Sequence, residues 1–379
     1  MVEKNGELPI CITGMAWTTS LGSDLDSVWE KLLDGHTGVS CIPSSYPLRN
    51  NLAAAVSNIS LEYRENERQH ILAVKTLVSA LTHAQLELND KNIQIILGTS
   101  FGSHLDDPSF NSLHEWAINI SNEVGAYNPP ISLTTACSSG SDSILVGAEL
   151  IRNKKKDICI CGGVDILTNS KRLAHSALGT MSPNFLYAFD ERHDGMLLGE
   201  GAGFLVLESY ESAIRRSATI HGYLKGTGAS NDASGMTSPD MTGDSIILSV
   251  QRALKNANLN VEDINIVNAH GSGTPVNDMV EKTSLHRLFG AGYKQPVVFA
   301  TKGAFGHSLG ATGILEAISV ILALKDAKTP PIYGLQKPME EFSLPLSIQQ
   351  PHSFEGKIGA SLTLGFGGFN TCLIFEGID

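Results

Sequence analysis

The chain repeats itself, and that repetition constrains its fold more than any single motif. Residues 80–86, ALTHAQL, and residues 253–259, ALKNANL, share the pattern A-L-x-x-A-x-L. Each leads into an apolar, strand-like segment, IQIILGTS in one case and INIVNAHG in the other. Later in each half, LGEGAGFLVLE from Leu198 and LGFGGFNTCLIFE from Leu364 share a glycine-rich turn followed by an aliphatic run. A third pair, CSSGSDSILVGAELI from Cys137 and HSLGATGILEAISVIL from His307, opens with small residues and becomes an aliphatic helix. One such match could be chance; three in the same order indicate a duplication whose halves meet near residues 215–225. Domains of 1–220 and 221–379 are therefore expected.

Within each half, short runs such as ICITG, IQIILGTS, ISLTTA, ICICGG, GFLVLES, INIVNAH, PVVFAT and CLIFEG alternate with helix-period stretches. This is the pattern of an α/β fold. Several runs are apolar throughout, as strands buried on both faces are. The small residues opening the third pair suit buried helices packed closely together, so a central helical layer between two sheets is expected.

Composition narrows the function. Hydrophobic residues make up 42% and charged residues 17%, the balance of a folded globular protein. A net charge of −12 argues against nucleic acid as the partner, because phosphate binding needs Lys and Arg. The opening MVEKNGELPI lacks the basic and apolar regions of a secretory signal, and no apolar run reaches the length of a membrane span. The six cysteines show no paired spacing suited to zinc. A cytoplasmic protein without a metal is expected.

Cys137 follows the strand-like ISLTTA and precedes a helix, where unpaired N–H groups and the helix dipole favour a thiolate. A buried structural cysteine is the bland alternative; the flanking Ser, Gly and Thr, which leave room for a substrate, favour the nucleophile. His270 ends INIVNAH before the turn GSGTP, at a strand's carboxyl end, where α/β folds bind ligands. His307, in KGAFGHSLGATG, mirrors the context of Cys137. The duplication would bring the thiol and both imidazoles to one cleft, a nucleophile with acid/base partners. GHSLG also matches the hydrolase nucleophile elbow, with Ser308 as nucleophile. Only about 70 residues remain after it, too few for the further strands, acid and histidine that such a fold requires.

With these residues in place, the chain resembles the β-ketoacyl synthases of the thiolase superfamily. The resemblance is carried by TTACSSG around Cys137, FDERHDGMLLGEGAG from Phe189, NAHGSGTPVND around His270, KGAFGHSLGATG around His307, and LGFGGFN near the end. It implies a five-layered αβαβα fold of two pseudo-repeated halves, and a dimer. A Cys-His-His set resembles the elongating synthases. Cys137 would take an acyl chain from the phosphopantetheine arm of acyl carrier protein, with the N–H groups of Cys137 and Phe366 as oxyanion hole. His270 and His307 would stabilise the enolate formed as malonyl thioester loses carbon dioxide. Lys302 and Glu316 match supporting residues, Ser272 and Thr274 match pantetheine contacts, and Gly365, Phe366 and Gly367 match a substrate-binding turn with Phe366 as gate. Arg64 and Arg68, in EYRENERQ, match a basic carrier-docking segment. No bound cofactor is implied.

Gly303, Ser272 and His193 depart from the family's usual Ser, Thr and Arg. The stretch between Gly98 and Cys137 is short for a fatty-acid enzyme, and the compact chain is similar to synthases of type II polyketide and aryl polyene pathways. In those pathways an active synthase pairs with an inactive chain-length partner, so the resemblance implies for this chain a homodimer or a heterodimer with a related ketosynthase or chain-length subunit. A non-catalytic chain-length subunit is the competing reading, and Cys137, ordinarily lost in such subunits, argues against it.

Overall fold

A computed structural model describes residues 9–109, 112–290 and 294–378. In the first half, strands β1 (Ile10–Thr18), β2 (Ile93–Gly98), β3 (Ile131–Leu133), β4 (Ile158–Asp165) and β5 (Gly201–Ser209) form five neighbouring strands of one sheet. The second half supplies β6 (Gly222–Asn231), β7 (Ile266–Asn268), β8 (Val297–Phe299), β9 (Ile358–Gly365) and β10 (Phe369–Glu376). Their spatial orders are β1-β5-β4-β2-β3 and β6-β10-β9-β7-β8. In each half the first, fifth and fourth strands pair antiparallel, and the fourth, second and third pair parallel. The same topology occurs twice. The halves join where Ile10, Cys11 and Ile12 pair with Leu224, Tyr223 and Gly222.

Six helices matter for the site: α1 (Glu65–Ala84), α2 (Ser139–Arg152), α3 (Asn169–Ala177), α4 (Asp244–Ala257), α5 (Pro275–Phe289) and α6 (Thr312–Asp326). α2 packs on β4 and β2 and reaches β10, while α6 packs on β9 and reaches β5, so these two helices form the layer between the sheet halves. α1 covers β1 and β5, and α4 covers β6 and β10, from outside. All three sequence pairs fall on equivalent elements: the ends of α1 and α4, the starts of α2 and α6, and strands β5 and β10.

Small residues permit the crossing of α2 and α6. A Cβ on Gly140 would lie 2.9 Å from the Gly310 carbonyl oxygen, and one on Gly313 would lie 2.6 Å from Ser141 Oγ. Strands β6 and β9 are not among the candidate runs of the sequence; GYLKGTGASN and IGASLTLG are rich in small residues, which strands ordinarily disfavour. Tertiary packing explains them. A Cβ on Gly228 would stand 2.2 Å from the Ser249 carbonyl oxygen of α4, and one on Gly359 would meet Val320 of α6 at 2.6 Å. The glycines let helices sit directly on those strands.

Candidate active site

The free amino ends of α2 and α6 converge at the seam between the halves, each after a 3₁₀ turn, Ala136–Ser138 and Leu309–Ala311. Neither helix has a side-chain cap. Ala136 adopts φ +51°, a left-handed step that turns the chain sharply between β3 and α2 and leaves Cys137 at the corner. Cys137 is 5% exposed and opens onto a cavity of about 310 Å³. His270, two residues beyond β7, and His307, just before the second 3₁₀ turn, line the same cavity. Their rings meet edge to face with centroids 5.2 Å apart.

The two imidazoles are in the same electronic state. His270 Nδ1 accepts the Leu364 N–H at 3.3 Å, and His307 Nδ1 accepts the Leu309 N–H at 3.1 Å. A neutral ring whose Nδ1 accepts carries its proton on Nε2. Burial, followed by the charge of Lys302, holds both rings well below the ordinary imidazole range. Each histidine is therefore a neutral Nε2–H donor.

Behind them, Lys302 Nζ donates to the His270 carbonyl oxygen and to Glu316 Oε1, all three buried. Burial pushes the Glu316 carboxyl up to about 8, against the pull of Lys302. Ser272 and Thr274 line the cavity and share a 2.9 Å hydroxyl contact. Gly365, Phe366 and Gly367 also line it, and the backbone N–H of Phe366 is near enough to the Cys137 sulfur to favour its thiolate. The turn's backbone is pinned: Gly367 N–H donates to the Met236 carbonyl (2.8 Å), and Asp232 N–H to that of Gly368 (3.0 Å).

Two expectations are corrected. The helix start was expected to lower the Cys137 pKa, but burial dominates and pushes the thiol up to about 11, with Lys302 and the Phe366 N–H opposing. A thiol raised that far holds its proton at neutral pH. Arg68 does not present a docking charge: it is 3% exposed and both its terminal nitrogens donate to the buried Glu200. Arg64, by contrast, has a side chain 70% exposed and reaches Asp107 at 2.5 Å. Ser308, the elbow serine of the hydrolase reading, is buried, and among the described residues its Oγ has no hydrogen-bond partner.

Sequence reasoning missed several supporting carboxylates. Glu281 accepts the N–H groups of His270 (2.5 Å) and Gly271 (2.8 Å), and burial pushes it up to about 7. Asp278 accepts from Phe189 N–H (2.8 Å) and Gly273 N–H (3.1 Å). Asp165 accepts from Gly310 N–H (2.7 Å) and Ser100 N–H (2.8 Å) and pairs with Lys171. The acids of α5 had a signal: two carboxylates three residues apart in its first turns, placed to face back onto the GSGTP loop. Among the described residues no group of three or more metal-ligating side chains occurs.

A duplicated, five-layered α/β fold with this seam defines the thiolase-like class of enzymes. A family model described as Beta-ketoacyl synthase, N-terminal domain, matches residues 7–213, and its C-terminal counterpart matches residues 221–336. The chain belongs to the β-ketoacyl synthase family. It is 30% identical to 3-oxoacyl-[acyl-carrier-protein] synthase 2 of Staphylococcus aureus (strain N315), over 97% of this chain and 98% of that one. Among solved structures it is similar to a beta-ketoacyl synthase from Burkholderia phymatum STM815, with a TM-score of 0.87 and 28% identity, covering 98% of this chain and 100% of that chain. The ishigamide ketosynthase/chain length factor is also similar, with a TM-score of 0.90, 27% identity and the same coverage.

Proposed function

We propose that this protein joins an acyl group held on Cys137 to the carbon of a malonyl thioester, with loss of carbon dioxide, both groups being delivered on the phosphopantetheine arm of acyl carrier protein. The observation that carries the proposal is the pair of neutral Nε2–H donors, His270 and His307, on the same cavity as the Cys137 thiol.

In the first half-reaction the Cys137 sulfur bonds to the acyl carbon, the carrier thiol leaves, and the proton of the Cys137 thiol ends on that leaving sulfur. The N–H groups of Cys137 and Phe366 serve as oxyanion donors. In the second, the malonyl carboxylate departs as carbon dioxide, and its bonding pair becomes an enolate whose oxygen is held by the two Nε2–H groups. Neutral donors suit this role, because they stabilise the developing charge without giving up a proton to the carbon nucleophile. The enolate carbon then attacks the Cys137 thioester and releases the sulfur as a thiolate, which takes a proton from solvent to restore the thiol. Lys302, Glu316 and Glu281 orient His270 through its backbone, and Ser272 and Thr274 hold the pantetheine arm.

A dimer with a second copy or with a related chain-length subunit fits the exposed Leu105 and Tyr127 in the segment before Cys137. The six free cysteines suit a reducing cytoplasm. Among the described residues no helix is long and apolar enough to cross a membrane.

The test is incubation with acyl- and malonyl-carrier protein, reading 3-oxoacyl-carrier protein by mass. Wild type should form it and Cys137→Ala should not. Product from Cys137→Ala at the wild-type rate overturns the proposal.

A further inference from the structure

One buried side chain at the site is unused by the chemistry above. His175, on α3, is 8% exposed, and its ring stacks on that of Phe366 with centroids 5.7 Å apart and an interplanar angle of 28°. The His175 ring is itself fixed. Its Nδ1–H donates to Thr180 Oγ1 at 2.9 Å, while the Thr180 hydroxyl hydrogen goes to the His175 carbonyl oxygen at 3.2 Å. Thr180 lines the cavity as well. One turn earlier on α3, the buried Lys171 is anchored to Asp165 and to the Ile166 carbonyl oxygen, which ties the helix to the end of β4.

Phe366 stands beside Cys137 in the glycine turn between β9 and β10, and its ring has to make way for an acyl chain. The backbone of that turn is held by the hydrogen bonds of Gly367 and Gly368 to Met236 and Asp232, so rotation of the ring is the motion that the stack with His175 opposes. Among the described residues, His175 is the aromatic side chain that stacks on that ring. An aromatic contact of this kind holds one rotamer against the others.

We propose that His175 is a positioning residue that latches Phe366 over Cys137, so that breaking the His175–Phe366 stack is part of the barrier to loading the acyl chain. This rests on the condensing role of Cys137 proposed above. His175 touches neither acyl group nor enolate; it acts through Phe366. Its removal should therefore alter acylation of Cys137 and leave the use of malonyl-carrier protein unchanged.

Single-turnover acylation of Cys137 by octanoyl-carrier protein, followed by intact mass, tests the latch. His175→Leu keeps bulk but removes the ring, and should accelerate acylation about 2- to 12-fold, the equivalent of one aromatic contact. His175→Phe restores a stacking face and should return the rate towards wild type. In a Phe366→Ala background, His175→Leu should have no further effect. KM for malonyl-carrier protein should stay constant. Should His175→Leu fail to fold, Thr180→Val, which frees the His175 ring without changing the buried residue, should accelerate acylation in the same direction. An unchanged rate in the variant that folds, or the same change with and without Phe366, overturns the latch. Wild type that takes up no acyl group from acetyl- or octanoyl-carrier protein instead overturns the condensing function.

Discussion

Arg68 on α1 and Glu200 at the entry to β5 form a buried, two-pronged ion pair across 132 residues of sequence. Glu200 also accepts the N–H groups of Val56 (2.6 Å) and Leu167 (2.9 Å), so one carboxylate binds four donors from three parts of the first half. Removing one partner leaves the other charge buried and unpaired. Arg68→Ala should lower unfolding free energy by about 3–5 kcal/mol, measured by urea denaturation. The salt dependence of carrier binding should not change, since the charge is shielded from any partner.

Arg64 is the contrasting case. Its side chain is exposed, although the Asp107 carboxylate it reaches is buried. Arg64→Glu should raise KM for carrier-bound substrate and reduce its dependence on ionic strength, with kcat nearly unchanged. Identical KM values over a salt series would remove Arg64 from the docking surface.

The two half-reactions should come apart by mutation. Cys137→Ala removes the acyl acceptor but leaves both imidazole donors, so decarboxylation of malonyl-carrier protein should persist while condensation is abolished. His270→Ala or His307→Ala should do the reverse: acyl-enzyme still forms, and decarboxylation falls about 10²- to 10³-fold, the usual loss for one donor to a developing oxyanion. Labelled carbon dioxide release and acyl-enzyme mass, measured in parallel, distinguish the cases.

Buried neutral histidines make the protein sensitive to acid. His175 takes a proton near 6.5 when unfolded, but burial, followed by the charge of Lys171, lowers it to about 4 in the fold. Between those values the unfolded chain holds the extra proton. The contribution of His175 to stability is therefore full above pH 6.5 and declines as pH falls towards 4, by up to about 1.4 kcal/mol per pH unit. His175→Phe cannot titrate, so its stability should fall less steeply than that of wild type across this window. Parallel denaturation curves for the two proteins from pH 7 to pH 4, offset by a constant, would contradict the assignment.

Much of this protein was legible in order along the chain. The duplication, the α/β class, the central helix pair, Cys137 and both histidines all leave local signatures. Strand and helix periodicities repeat within a few residues, and glycine or small residues mark the turns and close crossings beside the site. What the sequence could not settle depends on groups brought together from far apart. Arg68 and Arg64 lie four residues apart on one segment, yet only Arg68 meets Glu200, because it sits inside the first turn of α1 against the buried carboxylate whereas Arg64 is the extended residue before the helix, with its side chain in solvent. The proton of His270 is placed on Nε2 by a backbone N–H from residue 364, and the thiol of Cys137 is raised by burial that both halves create together. Strands β6 and β9 become strands because helices rest on their glycines. Residue type and spacing are local properties, whereas charge state, tautomer and burial are set by the whole packed surroundings, and those exist only in the tertiary structure.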